Sequence, residues 1–331
     1  MRSLIASFSN QLSSAADSMA EQALPLEVPR HDRILVLGMG GSGIGGRFLS
    51  GLLQDAASVP IASGHDYRIP AWVGPSTVVI ACSYSGNTEE TLTAVNEAVE
   101  AGAQMRALTS GGELGQRAEA NQWPCLKVPC GHPPRSQLGW AVAGLLHHFA
   151  ALRHTPKDAP NVLDDVRASA DLLRANDSEI QAVAEQWSAL LAHRTPMLYG
   201  DAALEPVLIR WRQQINENAK RLCNHHVFPE MNHNELVGWE SGDATTASLF
   251  LHTSEDHPRT AERMRLCKAI FSKTGAAVEA LTAKGATRLQ RWVYLVHIGD
   301  WLSLHMAENS GVDPVDIRHI DYLKGELAKM T

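Results

Sequence analysis

A chain of 331 residues has room for two domains with cores of their own, and 44% hydrophobic against 20% charged residues is an ordinary globular balance. The formal net charge of −7 argues against a nucleic-acid surface, and it would repel an anionic substrate unless the site supplied its own N–H groups and cations. No apolar run approaches the roughly 20 residues that span a bilayer, and no basic segment leads into an apolar stretch at the start, so a cytoplasmic location is expected.

The first 30 residues read as a helix, Leu4 to Ala23, followed by the extended PLEVPRH. At Arg33 to Leu53, RILVLGMGGSGIGGRFLSGLL passes from an apolar strand through a glycine-rich turn into a helix. ACSYSGNTEETL, at Ala81 to Leu92, repeats that order with a serine-rich turn. Such turns present free backbone N–H groups to an anion, so the pair reads as a phosphate cradle. A dinucleotide fingerprint would need an acidic residue at the end of the second strand, near Val59 to Ser63, and Asp66 is the residue in that place. That reading leaves the second turn unexplained. Ser83, Ser85 and Thr88 stand there with Gly86 between them, and several hydroxyls with N–H groups suit a phosphate monoester.

Further strands are expected near Ile34 to Leu37, Val78 to Cys82, Gln104 to Leu108 and Cys125 to Val128, with helices beginning near Gly43, Asn87 and Glu113. Regular alternation argues for a parallel sheet covered by helices on both faces. From Gln137 to His193 helical periodicity takes over, with HTPKDAP at His154 to Pro160 as its break and helices near Val162 to Ala175 and Glu179 to Ala192. Strands return at Pro196 to Tyr199, Ala247 to His252 and Ala276 to Leu281. The expected layout is an N-terminal helical segment (1–30), an α/β domain with the phosphate turns (31–153), a helical bridge (154–194) and a second α/β domain (195–331). The second half lacks both phosphate turns, so one phosphate site per chain is expected. Cys82, Cys125, Cys130, Cys223 and Cys267 are scattered, odd in number and without a CxxC pair, and are expected to be buried thiols.

The densest polar segment is INENAKRLCNHHVFPEMNHNELVGWE, Ile215 to Glu240. On the helix leading into it, Leu208, Trp211, Ile215, Ala219 and Leu222 recur at three and four residues and form the expected buried stripe. Glu217 lies off that stripe. An isolated glutamate there would be a solvated side chain near Lys220 and Arg221. Its surroundings, Asn216, Asn218, His225, His226, Asn232, His233, Asn234 and Glu235, are costly to leave unpaired and point to a site. Histidine is suited to proton transfer near neutral pH. A zinc reading of His225, His226, His233 and Cys223 lacks the HExxH or CxxC spacing that aligns ligands. Arg135, in PPRSQLGW after the last strand of the first domain, either pairs at the surface or projects over the strand ends, where ligands of open α/β sheets bind. Near the C-terminus Ile317, Ile320, Leu323 and Leu327 fall on one helical face, with Lys324 at its edge, either snorkelling to solvent or reaching a ligand.

Together GMGGSGIGG, SYSGNTEETL, PPRSQLG, NENAK, PEMNHNELVGW, EDHP and GVDP with IDYLKGEL resemble the bifunctional phosphoglucose/phosphomannose isomerases of the sugar-isomerase-domain (SIS) superfamily. The resemblance runs from about Arg33 to the end. It implies two flavodoxin-like domains and interconversion of glucose 6-phosphate, mannose 6-phosphate and fructose 6-phosphate in carbohydrate metabolism, without metal or organic cofactor. It further implies that Gly41, Ser42, Ser83, Ser85 and Thr88 hold the phosphate and that Glu217 moves a proton between carbons 1 and 2. Arg135 would stabilise the cis-enediolate, and His233 and Lys324 would assist ring opening, the histidine coming from the partner in a homodimer.

A non-catalytic sugar-phosphate sensor is the alternative from another class, but it would have no need of a base, an arginine and a lysine at three distant points in the chain. An amino-sugar synthase would require a glutaminase domain, which this sequence does not encode. A dehydrogenase would require Asp66 to hold a ribose.

Overall fold

The protein is described by a computed structural model over residues 1–25, 29–154 and 161–330. Parts of PLEVPRH (26–28) and HTPKDAP (155–160) lie outside the described residues. The first half runs α1 (Arg2–Ala6), α2 (Phe8–Glu21), β1 (Arg33–Leu37), α3 (Gly40–Leu53), β2 (Ile61–Gly64), β3 (Thr77–Ser83), α4 (Glu89–Glu100), β4 (Gln104–Thr109), α5 (Gly112–Ala120), β5 (Cys125–Lys127) and α6 (Leu138–Ala151). It continues through α7 (Val162–Ala175), α8 (Asp177–Leu190), β6 (Thr195–Asp201), α9 (Glu205–Ala219), β7 (Asn224–Phe228), α10 (Glu235–Gly238), β8 (Thr246–His252), α11 (Pro258–Ser272), β9 (Ala277–Thr282), α12 (Arg288–Asn309) and α13 (Arg318–Leu327).

Two compact units divide the chain. The first comprises Ala6–Ala175 and Lys284–Tyr294; the second comprises Met1–Ile5, Asn176–Ala283 and Leu295–Thr331. Segment 154–194 thus contributes α7 to the first and α8 to the second.

In the first unit five parallel strands are ordered β2-β1-β3-β4-β5, with Leu35 opposite Val79 and Val79 opposite Met105. All seven residues of β3, TVVIACS, are buried, as expected of a central strand covered on both faces. Its core joins Leu35, Val79 and Ala107 to Val95 and Leu114 from the covering helices. The N-terminal helix breaks at Ser7 instead of running continuously from Leu4 to Ala23. Phe8, Leu12, Ala15 and Met19 recur at the helical period and are buried where α2 packs on α6 and α7.

In the second unit four parallel strands are ordered β7-β6-β8-β9, with Leu198 opposite both His225 and Leu249. β6 takes the place of β1, β7 of β2, β8 of β3 and β9 of β4. The core is aromatic: Tyr199, Phe228, Trp239, Phe250 and Phe271 cluster, and Trp239 stacks on Phe271 with centroids 3.8 Å apart. β7 is an element that the sequence did not announce, because the edge strand NHHVF carries three polar side chains in five. On α9, Leu208, Trp211, Ile215 and Ala219 are buried as expected. Leu222 is not. The helix ends at Lys220 in the left-handed region (φ +54°), which turns Leu222 away to 83% exposure. Cys82, Cys223 and Cys267 are buried thiols, whereas Cys125 is half-buried and Cys130 exposed, correcting the expectation for those two. No helix among the described residues is long and apolar enough to cross a membrane.

Candidate active site

Both phosphate turns lie at the carboxyl ends of β1 and β3, in the crevice where the strand order of the first sheet reverses. Gly40 (φ +50°) opens α3 and Gly86 (φ +74°) shapes the second turn, conformations that favour glycine. The turns are fastened together: Ser42 Oγ accepts the Tyr84 N–H at 3.1 Å. Within the second turn Ser83 Oγ accepts the Gly86 N–H at 3.1 Å and lies 2.9 Å from Thr88 Oγ1, while Ser85 Oγ accepts the Asn87 N–H at 3.2 Å. Gly41 and Ser42 line a cleft of about 20 Å³ with Tyr84, Pro134 and Trp140, space for little more than one water. The first unit therefore brings all five expected phosphate residues to one crevice, their hydroxyls already ordered by the backbone.

Arg135 belongs to the same unit, in a single 3₁₀ turn, Pro134–Ser136, and is 4% exposed. A side chain at position 41 would place its Cβ 2.8 to 3.0 Å from the backbone of Pro134 and Arg135. The glycine is thus what permits the arginine turn to pack on the first phosphate turn. Asp66, exposed beyond β2, spends its Oδ1 on the Tyr67 N–H at 2.6 Å. Its neighbour His65 meets the Gly38 carbonyl at 2.8 Å, and burial lowers the His65 pKa.

In the second unit Glu217 sits near the end of α9 and lines a cavity of about 700 Å³ with Lys220, Arg221, Asp316, Ile317 and Ile320. The Lys220 ammonium donates to the Glu217 carbonyl at 2.6 Å. Lys324, one turn beyond Ile320 on α13, is exposed and does not line this cavity. The apolar face expected of that helix is present, but it is unburied: Ile320, Leu323 and Leu327 are all exposed.

His233 lies elsewhere in that unit, exposed at the end of a 3₁₀ turn, Glu230–His233, and lining a different cavity of about 420 Å³. Its neighbours hold the turn in place. Glu235 receives the Tyr199 hydroxyl and lies 2.8 Å from His226 Nδ1, Trp239 Nε1 donates to Tyr199 at 3.0 Å, and Asn234 Oδ1 accepts the Glu235 N–H at 2.6 Å. Asn232 bridges Cys267 and Arg263. Among the described residues no group of three His, Cys, Asp or Glu could hold a metal ion.

The family described as Bacterial phospho-glucose isomerase C-terminal SIS domain matches residues 180–327, and the SIS domain family matches residues 29–121. A curated bifunctional phosphoglucose/phosphomannose isomerase of Caldicellulosiruptor bescii is 35% identical over 306 residues, 90% of each chain. That of Thermoplasma acidophilum is 32% identical over 329 residues, covering 99% of this chain and 100% of its own. The chain belongs to the bifunctional phosphoglucose/phosphomannose isomerase family. Among solved structures, the C-terminal domain of glucosamine-fructose-6-phosphate aminotransferase from Francisella tularensis shares the fold, with TM-score 0.75 at 12% identity over 94% of this chain and 97% of that one.

Membership of the phosphoglucose/phosphomannose isomerase family agrees with the resemblance carried by the motifs. The polar crowd around Glu217 is largely structural. Asn216 donates to the Arg221 carbonyl at 2.7 Å and Asn218 to Ser303 at 2.9 Å, so those amides fix the end of α9. Sequence reasoning missed Arg259, Arg263 and His257, which share the His233 cavity; their signal was the HPRTAER run, with its arginines one turn apart.

Proposed function

We propose that the chain interconverts glucose 6-phosphate and mannose 6-phosphate with fructose 6-phosphate through a cis-enediolate, without a metal. The observation that carries this reading is Glu217 in the wall of a cavity of about 700 Å³, beside Lys220 and Arg221, in a member of this family. In this reading Gly41, Ser42, Ser83, Ser85 and Thr88 hold the phosphate. Glu217 removes the proton from one carbon and returns it to the adjacent one, so a single carboxylate serves both directions. Removing a carbon-bound proton is productive only if the new oxyanion is stabilised, a task for the fixed guanidinium of Arg135. His233 and Lys324 assist ring opening. His233 and Glu217 line different cavities of the same unit, which favours delivery of His233 by a second copy in a homodimer.

The deciding measurement is fructose 6-phosphate formation by EDTA-treated protein from glucose 6-phosphate and from mannose 6-phosphate in separate reactions. Turnover of both is expected. Glu217→Gln should remove about two to four orders of magnitude of kcat, as general-base loss does, while a phosphorylated polyol still binds. Binding without turnover in the unaltered protein would favour a sugar-phosphate sensor.

A further inference from the structure

The second sheet has its own crevice at the carboxyl ends of its strands, where the order β7-β6-β8-β9 reverses. The 420 Å³ cavity lies there, lined by Asp201 from the end of β6, Phe228 from the end of β7, His233 from the turn after β7, and His257, Arg259 and Arg263 from the start of the helix that follows β8. This is the position that the phosphate turns occupy in the first sheet. The glycine- and serine-rich backbone is replaced by side-chain cations.

Arg259 and Arg263 are four residues apart, hence on one face of α11 and one turn from each other. Among the described residues neither guanidinium has a carboxylate within ion-pair distance; Arg263 donates only to the Asn232 amide oxygen, at 3.3 Å. His257 Nδ1 accepts the Arg259 N–H at 3.2 Å, which leaves Nε2 as the nitrogen that can donate. Asp201 Oδ1 accepts the Ala203 N–H at 3.0 Å, leaving Oδ2 as an acceptor for a hydroxyl.

We infer that this crevice is a second anion site, for a small phosphomonoester carrying hydroxyl groups, with Arg259 and Arg263 on the phosphate and Asp201 on a hydroxyl. Guanidiniums match phosphate oxygens in pairs, and a cavity of this size in a chain of net charge −7 needs such local cations to admit a dianion. The inference replaces the expectation of one phosphate site per chain. It goes beyond the isomerase reading and does not depend on it.

Equilibrium dialysis of the full chain against labelled glucitol 6-phosphate, a polyol phosphate with no carbonyl to isomerise, tests it. Two molecules bound per chain are expected. Arg259→Glu, at an exposed position and with an unchanged circular dichroism spectrum, should weaken one class by at least about tenfold and leave the other intact. Arg263→Ala should weaken the same class. A single molecule per chain whose binding Arg259→Glu leaves intact would overturn the inference, and so would a loss of both classes together in Arg259→Glu, which would assign the cavity to the isomerase site. Turnover measured on the same preparations separates the two readings: two bound ligands without isomerisation would sink the proposed reaction and leave the second site standing.

Discussion

Tyr199 donates to Glu235 and accepts from Trp239, and burial, reinforced by the neighbouring carboxylate, holds its phenol above the ordinary range. Tyr199→Phe would keep the ring packing against Phe250 and Phe271 while leaving the Trp239 N–H and one Glu235 oxygen unpaired. The expected loss is about 2 kcal/mol, within the range for a buried charged hydrogen bond. Because the same network anchors the turn that carries His233, kcat should fall while phosphate binding stays constant. Thermal denaturation with a kcat and KM split checks both halves; an unchanged melting temperature would show the network to be incidental. These residues also mark how far the sequence could be read. A cluster of asparagine, histidine and glutamate announces that many polar groups must be satisfied, but not by whom. Asn218, Asn232, Asn234, His226 and Glu235 are spent on positioning the chain. The two turns proposed to hold phosphate were legible as turns because a strand–turn–helix pattern fixes where serines and glycines fall, whereas the cavity lined by Arg259 and Arg263 depends on which strands a helix happens to follow.

Strands with continuous apolar runs were legible for the reason that they are central: β3 is buried on both faces. The edge strand β7 was not, since pairing on one side leaves its polar residues free to dominate the pattern. Helix α9, which carries Glu217, is pinned to α12 by a buried ion pair. Arg210 Nη2 lies 3.0 Å from Asp300, and Gln214 donates to the same carboxylate at 2.9 Å. Burial raises the Asp300 pKa, opposed by Arg210. Asp300→Ala should cost about 3 to 5 kcal/mol, because it breaks a buried ion pair and removes the acceptor of Gln214. A melting temperature within one degree of the parent would refute that. The start of α13 supplies the other wall of the Glu217 cavity through Ile317 and Ile320. If these apolar side chains make room for the axial 2-hydroxyl of mannose 6-phosphate, Ile317→Gln and Ile320→Gln should lower the mannose-to-glucose rate ratio by about tenfold, the lower end of what one altered pocket contact discriminates. An unchanged ratio in both variants removes these positions from specificity.

Each unit also contains a buried imidazole, and the pair contributes to the acid limb of the molecule's stability. His148, in the first unit, sits 2.9 Å from the Ala107 carbonyl and is pushed by burial from its ordinary 6.5 down to about 3. His297, in the second, is pushed by burial from 6.5 to about 4. Both are therefore neutral when folded at pH values where the unfolded chain has taken up their protons. Above pH 6.5 neither affects stability. As pH falls below 6.5 the unfolded state gains protons that the folded state refuses, so stability drops by about 1.4 kcal/mol per pH unit for each histidine, levelling only near its folded pKa. Melting temperatures should accordingly fall between pH 6.5 and 4. His148→Gln retains a side-chain N–H for the Ala107 carbonyl but cannot be protonated, so it should flatten the first unit's share of that slope while His297 preserves the second unit's. Melting curves of the variant and parent across this window decide the matter. Parallel slopes would mean that another group governs the acid limb, and a flattened slope would place part of it in the core beside β4.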